Sequence, residues 1–190
     1  MKVLAINGSP RHNGNTAILI NHVFDALHAE GIETEMVQLS GKTLRGCIAC
    51  NKCVEKKDGH CIINNDSVND IIDKMKDADG IIFGSPTYFA DVTAEMKALI
   101  DRCGKVSMAN GGLLKRKAGA PVIAMRRGGA THAFDTINHF LHLSQMVMVG
   151  ASYWNFGIGL GIGDVDNDEE GKRNMKVLGE NLAWLLKKIR

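Results

Sequence analysis

The chain has no apolar run approaching the roughly 20 residues that a membrane-crossing helix needs, so a membrane partner is not expected. It has no charge excess either. Its 23 Lys and Arg against 21 Asp and Glu leave +2 over 190 residues, too even a balance to draw a nucleic acid by charge alone. No internal repeat, heptad array or linker-like shift in composition appears, which leaves one folded domain spanning 1–190. The first apolar stretch is broken at Asn7-Gly8-Ser9-Pro10, too early for a signal peptide, so a cytoplasmic location is expected. Also missing are G-x-G-x-x-G, G-x-x-x-x-G-K-[ST] and any H-x-x-x-H pair, and no Ser–His–carboxylate order is readable. These gaps count against a dinucleotide turn, an NTP-hydrolysing loop, a helical zinc site and a hydrolase triad.

What is present has the composition of a soluble globular protein, 45% hydrophobic and 23% charged, and is long enough to bury a core unaided. Short β-type runs alternate with longer helical ones. The expected strands are Val3 to Ile6, Thr34 to Leu39, Gly80 to Gly84, Pro121 to Met125 and Met146 to Gly150. Between them apolar residues recur at helical spacing, as in Ile20, Val23, Phe24 and Leu27, and in Val68, Ile71, Ile72 and Met75. Three further helices are marked by Met96 to Cys103, Phe134 to Leu141 and Leu178 to Ile189. Five strands and five helices in alternation predict an α/β, doubly wound, parallel five-stranded sheet.

Ligands of such sheets collect at the carboxyl ends of the strands, and three strand ends stand out. Asn7 to Thr16 runs from the first strand into the first helix. It offers backbone N–H groups at a helix start, the hydroxyls of Ser9 and Thr16, the Asn15 amide and the Arg11 guanidinium, with Asn13 and Gly14 between them. That set suits a phosphate dianion, and the competing reading is an ordinary turn capped by Asn13 or Asn15. Ser85 to Phe89 follows the third strand, and its neighbouring aromatics form a wall for a planar ring or else pack beneath the next helix. Arg126-Arg127-Gly128-Gly129 leaves the fourth strand, either meeting a ligand's edge or acting as turn punctuation.

These residues resemble the flavodoxin-like NAD(P)H-dependent FMN reductase superfamily, and most closely its iron–sulfur flavoprotein branch. The resemblance rests on Gly8-Ser9-Pro10-Arg11 with Gly14-Asn15-Thr16, on Asp79 to Phe89, and on Met96-Lys97-Ala98-Leu99-Ile100-Asp101-Arg102. It implies strand order 2-1-3-4-5 and an FMN cofactor. Ser9, Arg11, Asn13, Gly14, Asn15 and Thr16 would then hold the phosphate. Pro86, Thr87, Tyr88 and Phe89 would border the ribityl chain and ring, and Arg127, Gly128 and Gly129 would meet the ring's polar edge.

Cys47, Cys50, Cys53 and Cys61 form C-x2-C-x2-C-x7-C, a spacing that can wrap a 4Fe-4S cluster and that resembles the compact motif of iron–sulfur flavoproteins. Free or redox-active thiols, zinc or a disulfide remain open beside it. Cys103, at a helical apolar position, reads as core filling. The expected function is an FMN-dependent oxidoreductase in which the flavin N5 carries the chemistry and no side chain must act as acid or base. NAD(P)H or a low-potential donor would supply hydride or electrons, and a small acceptor such as a quinone, free flavin or oxygen species would take them. A homodimer or homotetramer is implied by the resemblance alone. The alternative is a non-enzymatic, flavodoxin-like or iron–sulfur electron carrier.

Overall fold

A computed structural model describes residues 1–189. The first strand, β1 (Lys2–Asn7), is buried from Val3 onward and leads into α1 (Asn15–Ala29), then β2 (Glu33–Gln38). A long loop carrying a five-residue helix, α2 (Lys52–Lys56), precedes α3 (Val68–Asp77) and β3 (Gly80–Pro86). The second half contains α4 (Ala94–Ala109), β4 (Ala118–Met125), α5 (Ala130–Leu143), β5 (Val147–Met148), β6 (Phe156–Ile158) and α6 (Glu169–Ile189). All strand pairs are parallel, and the order is β2-β1-β3-β4-β5 with β6 on β4.

Side chains of β1 divide between two cores, as a strand's two-residue period requires. Leu4 and Ile6 pack with Ile71, Met75, Met96 and Leu99 from α3 and α4, together with α5. Val3 and Ala5 pack with Leu19, Ile20 and Val23 of α1 and with Leu178 and Leu182 of α6. Helices thus cover both sheet faces, and the central strands are apolar along most of their length, with polar Asn7 and Ser85 only near their carboxyl ends. No described helix is long and apolar enough to cross a membrane.

The expected fifth strand, Met146 to Gly150, is reduced to two residues, and a short further strand joins the same edge of β4. Val147 and Met148 pair with Ala118 and Gly119, the chain then loops out, and Phe156 to Ile158 rejoins β4 beside Ile123 to Met125. The cause lies in Pro121. Lys117 and Gly119 accept hydrogen bonds from Val147 and Val149 on this edge, and the Ile123 N–H donates to it. By strand alternation Pro121 faces the same way, where it has no N–H to give. The buried Asn155 side chain donates to the Pro121 carbonyl at 3.0 Å, and the Asn155 carbonyl accepts from Ile123. A side chain thus bridges the gap that the ladder leaves.

Candidate functional site

The carboxyl ends of β1, β3 and β4 meet around a cleft of about 210 Å³ lined by Ser9, Arg11, Asn15, Thr16, Pro86 and Thr87, with Tyr88 and Arg126. Its first wall is built from Asn7. That buried side chain accepts from the Ser9 N–H at 3.0 Å and donates to Gln38, while Gln38 donates to the Ser9 carbonyl. The Thr93 hydroxyl, at the start of α4, donates to the Gly8 carbonyl at 2.8 Å. A Cβ on Gly8 would lie 3.1 Å from the Gly84 carbonyl and from that hydroxyl, so glycine lets the turn sit against β3. The Ser9 Oγ accepts from the Arg11 N–H, which leaves the hydroxyl proton free to donate elsewhere.

The residue capping α1 is Gly14, and no side chain caps the helix. The reading of this turn as one capped by Asn13 or Asn15 is therefore corrected. Asn13 is exposed and does not line the cleft. Asn15 lines it, yet its side-chain amide donates to the Gly161 carbonyl and accepts from the Gly163 N–H, both at 2.9 Å. What Asn15 offers a ligand is its backbone N–H. Thr16 and Thr87 are more informative: their Oγ1 atoms are buried without a hydrogen-bond partner, and both residues line the cleft. Buried hydroxyls are almost always satisfied, so two orphans in one crevice mark where a polar ligand belongs. Among the described residues no carboxylate lines the cleft, whereas Arg11 and Arg126 do. An uncapped helix N-terminus, two orphan hydroxyls and two cations fit a phosphorylated ligand such as FMN.

Tyr88 and Phe89 do not pack beneath α4. The Tyr88 N–H and carbonyl both bond Asp91, closing a two-residue hairpin whose central residues, Phe89 and Ala90, have φ of +47° and +66°. Tight turns of this hand favour glycine or asparagine. Phe89 projects fully into solvent and does not line the cleft. Asp91 secures the hairpin, accepting from the Thr136 hydroxyl at 2.7 Å and from its neighbour's N–H. Burial works to raise its carboxyl, but Thr136, Val92, His132 and Lys97 outweigh this and hold it below the usual carboxylate range. Gly129, at φ +82°, sits against Ala90, where a Cβ would approach to 3.3 Å. It supports the hairpin from behind, and Arg127, Gly128 and Gly129 do not line the cleft. Left-handed backbone at a non-glycine residue costs about 1–2 kcal/mol. Phe89→Asn is expected to raise the melting temperature by about 2–4 °C; an unchanged or lower value by calorimetry would contradict the strain.

Of the third strand end, Met125 and Arg126 line the cleft, and Gly159 and Leu160 join them without having been expected there. The available signal was the alternation of glycine with aliphatics from Gly157 to Gly163. Tyr153 and Trp154 are exposed, with their rings 5.0 Å apart and tilted to one another, and Trp154 meets the buried Phe156.

The cysteine loop lies outside this cleft. Cys47 and Cys50 are exposed, Cys53 is buried, Cys61 is half-buried, and none is in a disulfide. Four soft thiolate donors within 15 positions match an iron–sulfur or zinc site in donor chemistry. As folded, no three His, Cys, Asp or Glu side chains among the described residues converge on a metal position. Burial pushes the Cys103 thiol up to about 12, in keeping with its place in the core.

An iron-sulfur flavoprotein of Methanocaldococcus jannaschii is 41% identical over 197 residues, spanning 100% of both chains. Structural likeness is broader. A crystal structure of RosB, holding the intermediate 8-demethyl-8-formylriboflavin-5'-phosphate, aligns with TM-score 0.77 at 18% identity over 100% of this chain and 80% of that one. A flavodoxin from the domain Archaea aligns with TM-score 0.63 at 16% identity over 98% and 99% of the two chains. At such identities the two structures speak for a flavodoxin-like fold alone. The family model described as NADPH-dependent FMN reductase matches residues 1–161, the stretch that holds all three strand ends, and the chain belongs to that family.

Proposed function

We propose that the chain is an FMN-dependent oxidoreductase that takes electrons from NAD(P)H or a low-potential donor and passes them to a small acceptor. The observation that carries this is the pair of orphan hydroxyls, Thr16 and Thr87, in a crevice that also holds an uncapped helix start and Arg11. In this reading the Ser9 and Thr16 hydroxyls, the first N–H groups of α1 and Arg11 hold the phosphate. Pro86, Thr87 and Tyr88 border the ribityl chain and ring, with Arg126 facing the ring's polar side. FMN supplies reversible hydride and single-electron chemistry at its N5. The protein's part is to fix the phosphate, present one open face to donor and acceptor in turn, and keep carboxylates away from the ring.

The four free thiols favour an accompanying 4Fe-4S cluster held by Cys47, Cys50, Cys53 and Cys61. Iron and sulfide analysis after anaerobic purification tests that assignment. The exposed pair Tyr153 and Trp154 is a candidate contact for a homodimer or homotetramer. Stopped-flow mixing of the FMN-loaded protein with NADH and with NADPH tests the enzymatic reading. Rapid bleaching of the flavin by either nucleotide is expected. Reduction by a low-potential protein donor alone, with no turnover of a quinone, free flavin or oxygen, would instead make the chain an electron carrier.

A further inference from the structure

The sequence Met96 to Arg102 plays no part in the flavin cleft, yet it ends in the largest fully buried side chain of the protein. Arg102 projects from α4 into the base of the cysteine loop. Its guanidinium donates to the Arg45 carbonyl at 3.2 Å, two residues before Cys47, and to the Ile63 carbonyl at 2.8 Å, two residues after Cys61. It also pairs with Asp66, whose side chain is only 5% exposed. One planar fork therefore ties both limbs of the loop to the same helix. Arg is suited to this because its donors point in fixed, divergent directions that an ammonium cannot reproduce.

Two further features bear on the loop. Its later limb is pinned: the Asn69 side chain accepts from the Cys61 N–H at 2.8 Å and donates to the Cys61 carbonyl at 2.9 Å, and Asn110 accepts from the Gly59 N–H. The other limb is strained, with Ala49 and Asn51 both left-handed at φ +53° and +57°. Strained backbone persists only where its surroundings over-determine it. The Arg102 Nε, moreover, is buried without a partner, and Cys61 is among the groups that raise the pKa of this guanidinium. Groups just outside a set of metal ligands commonly orient those ligands by hydrogen bonding, and a buried N–H donor with no partner is suited to that part.

We propose that Arg102 is a positioning residue that closes the base of the cysteine loop and presents Cys61 toward Cys47, Cys50 and Cys53. This rests on reading the four thiols as a metal-binding set. The loop is then a claw whose hinge is set by α4 before any metal arrives, with the thiols of Cys47 and Cys50 left exposed for metal to draw in.

The test uses the full chain loaded with FMN, as wild type and as the Arg102→Met, Asp66→Leu double variant. Replacing both members of a buried ion pair by apolar residues generally leaves a fold intact. Hydrogen exchange at the Gly59 and Cys61 amides should become at least tenfold faster in the variant, while FMN affinity stays within twofold. Co²⁺ titration should give the wild type a strong thiolate-to-cobalt absorption from four thiolates, with at least tenfold weaker binding in the variant. If the double variant does not fold, Arg102→Lys, which keeps the charge but cannot reach both carbonyls, should show the same two changes. Unchanged exchange in a variant that holds FMN overturns the clasp. Absence of cobalt uptake by the wild type overturns the metal reading beneath it, a result separable from the exchange data.

Discussion

The Arg11→Ala, Thr16→Val double variant is expected to bind FMN two to three orders of magnitude more weakly than the parent chain, with riboflavin affinity unchanged. A hydrogen bond to a charged group contributes about 1.5–3 kcal/mol. Two that share one phosphate couple, so their sum is about 3–4 kcal/mol, and each 1.4 kcal/mol is tenfold in affinity. Val at position 16 keeps the size of Thr but removes the orphaned Oγ1. Ala at position 11 removes a cation that lines the cleft and is otherwise exposed, so neither change should unfold the protein. Flavin fluorescence titration reads the result, and an FMN affinity within threefold of the parent would place the phosphate elsewhere.

The second large effect concerns Asp66. Its carboxylate neutralises Arg102, whose side chain is fully buried. Asp66→Asn leaves that cation without a counter-charge, and breaking a buried pair on one side costs about 3–5 kcal/mol. For a chain of this length the melting temperature should fall by about 6–20 °C. Burial acts to raise the Asp66 carboxyl, but the Arg102 pair and the Val68 N–H outweigh it and hold its pKa below the usual range. A carboxyl depressed in the folded state stabilises fully above its unfolded pKa, about 3.9, and loses that contribution as pH falls through the lower, folded value. The gap between wild type and Asp66→Asn should therefore be constant from pH 6 to 8 and narrow below about pH 4. Thermal melts across that range check it. A gap that widened on acidification would contradict the assignment.

Much of the fold is legible in hydrophobic period alone. Val3 to Ile6 and Gly80 to Gly84 are buried runs bounded by turn residues, and both are central strands. The helices marked at spacings of three and four are all present with most of those residues buried, though Phe134 and Leu185 are only partly buried and Ile189 is exposed. The shortening of the fifth strand was not legible, because it depends on which edge of β4 the missing Pro121 N–H faces, and only pairing decides that. The five residues of α2 are too few to show a helical period.

The cleft follows the same division. Ser9, Arg11, Thr16 and Thr87 were visible because hydroxyls and a cation at strand ends have few other uses there. Asn15 was recognisable as a residue of the cleft, but its side chain is engaged by Gly161 and Gly163, about 146 positions along the chain, a distance no local pattern spans. Phe89 reads as part of an aromatic wall until the left-handed turn points it outward. Arg102 carried a resemblance without a role, since its partners at Arg45, Ile63 and Asp66 converge only in three dimensions.

Isothermal titration of the wild-type chain with FMN and with riboflavin, side by side, bears most directly on the flavin cleft. The two ligands share the ring and the ribityl chain and differ in the phosphate. With Thr16, Arg11 and the start of α1 gripping that group, FMN should bind at least a hundredfold more tightly. Equal affinities, or no binding of FMN at all, would contradict the account.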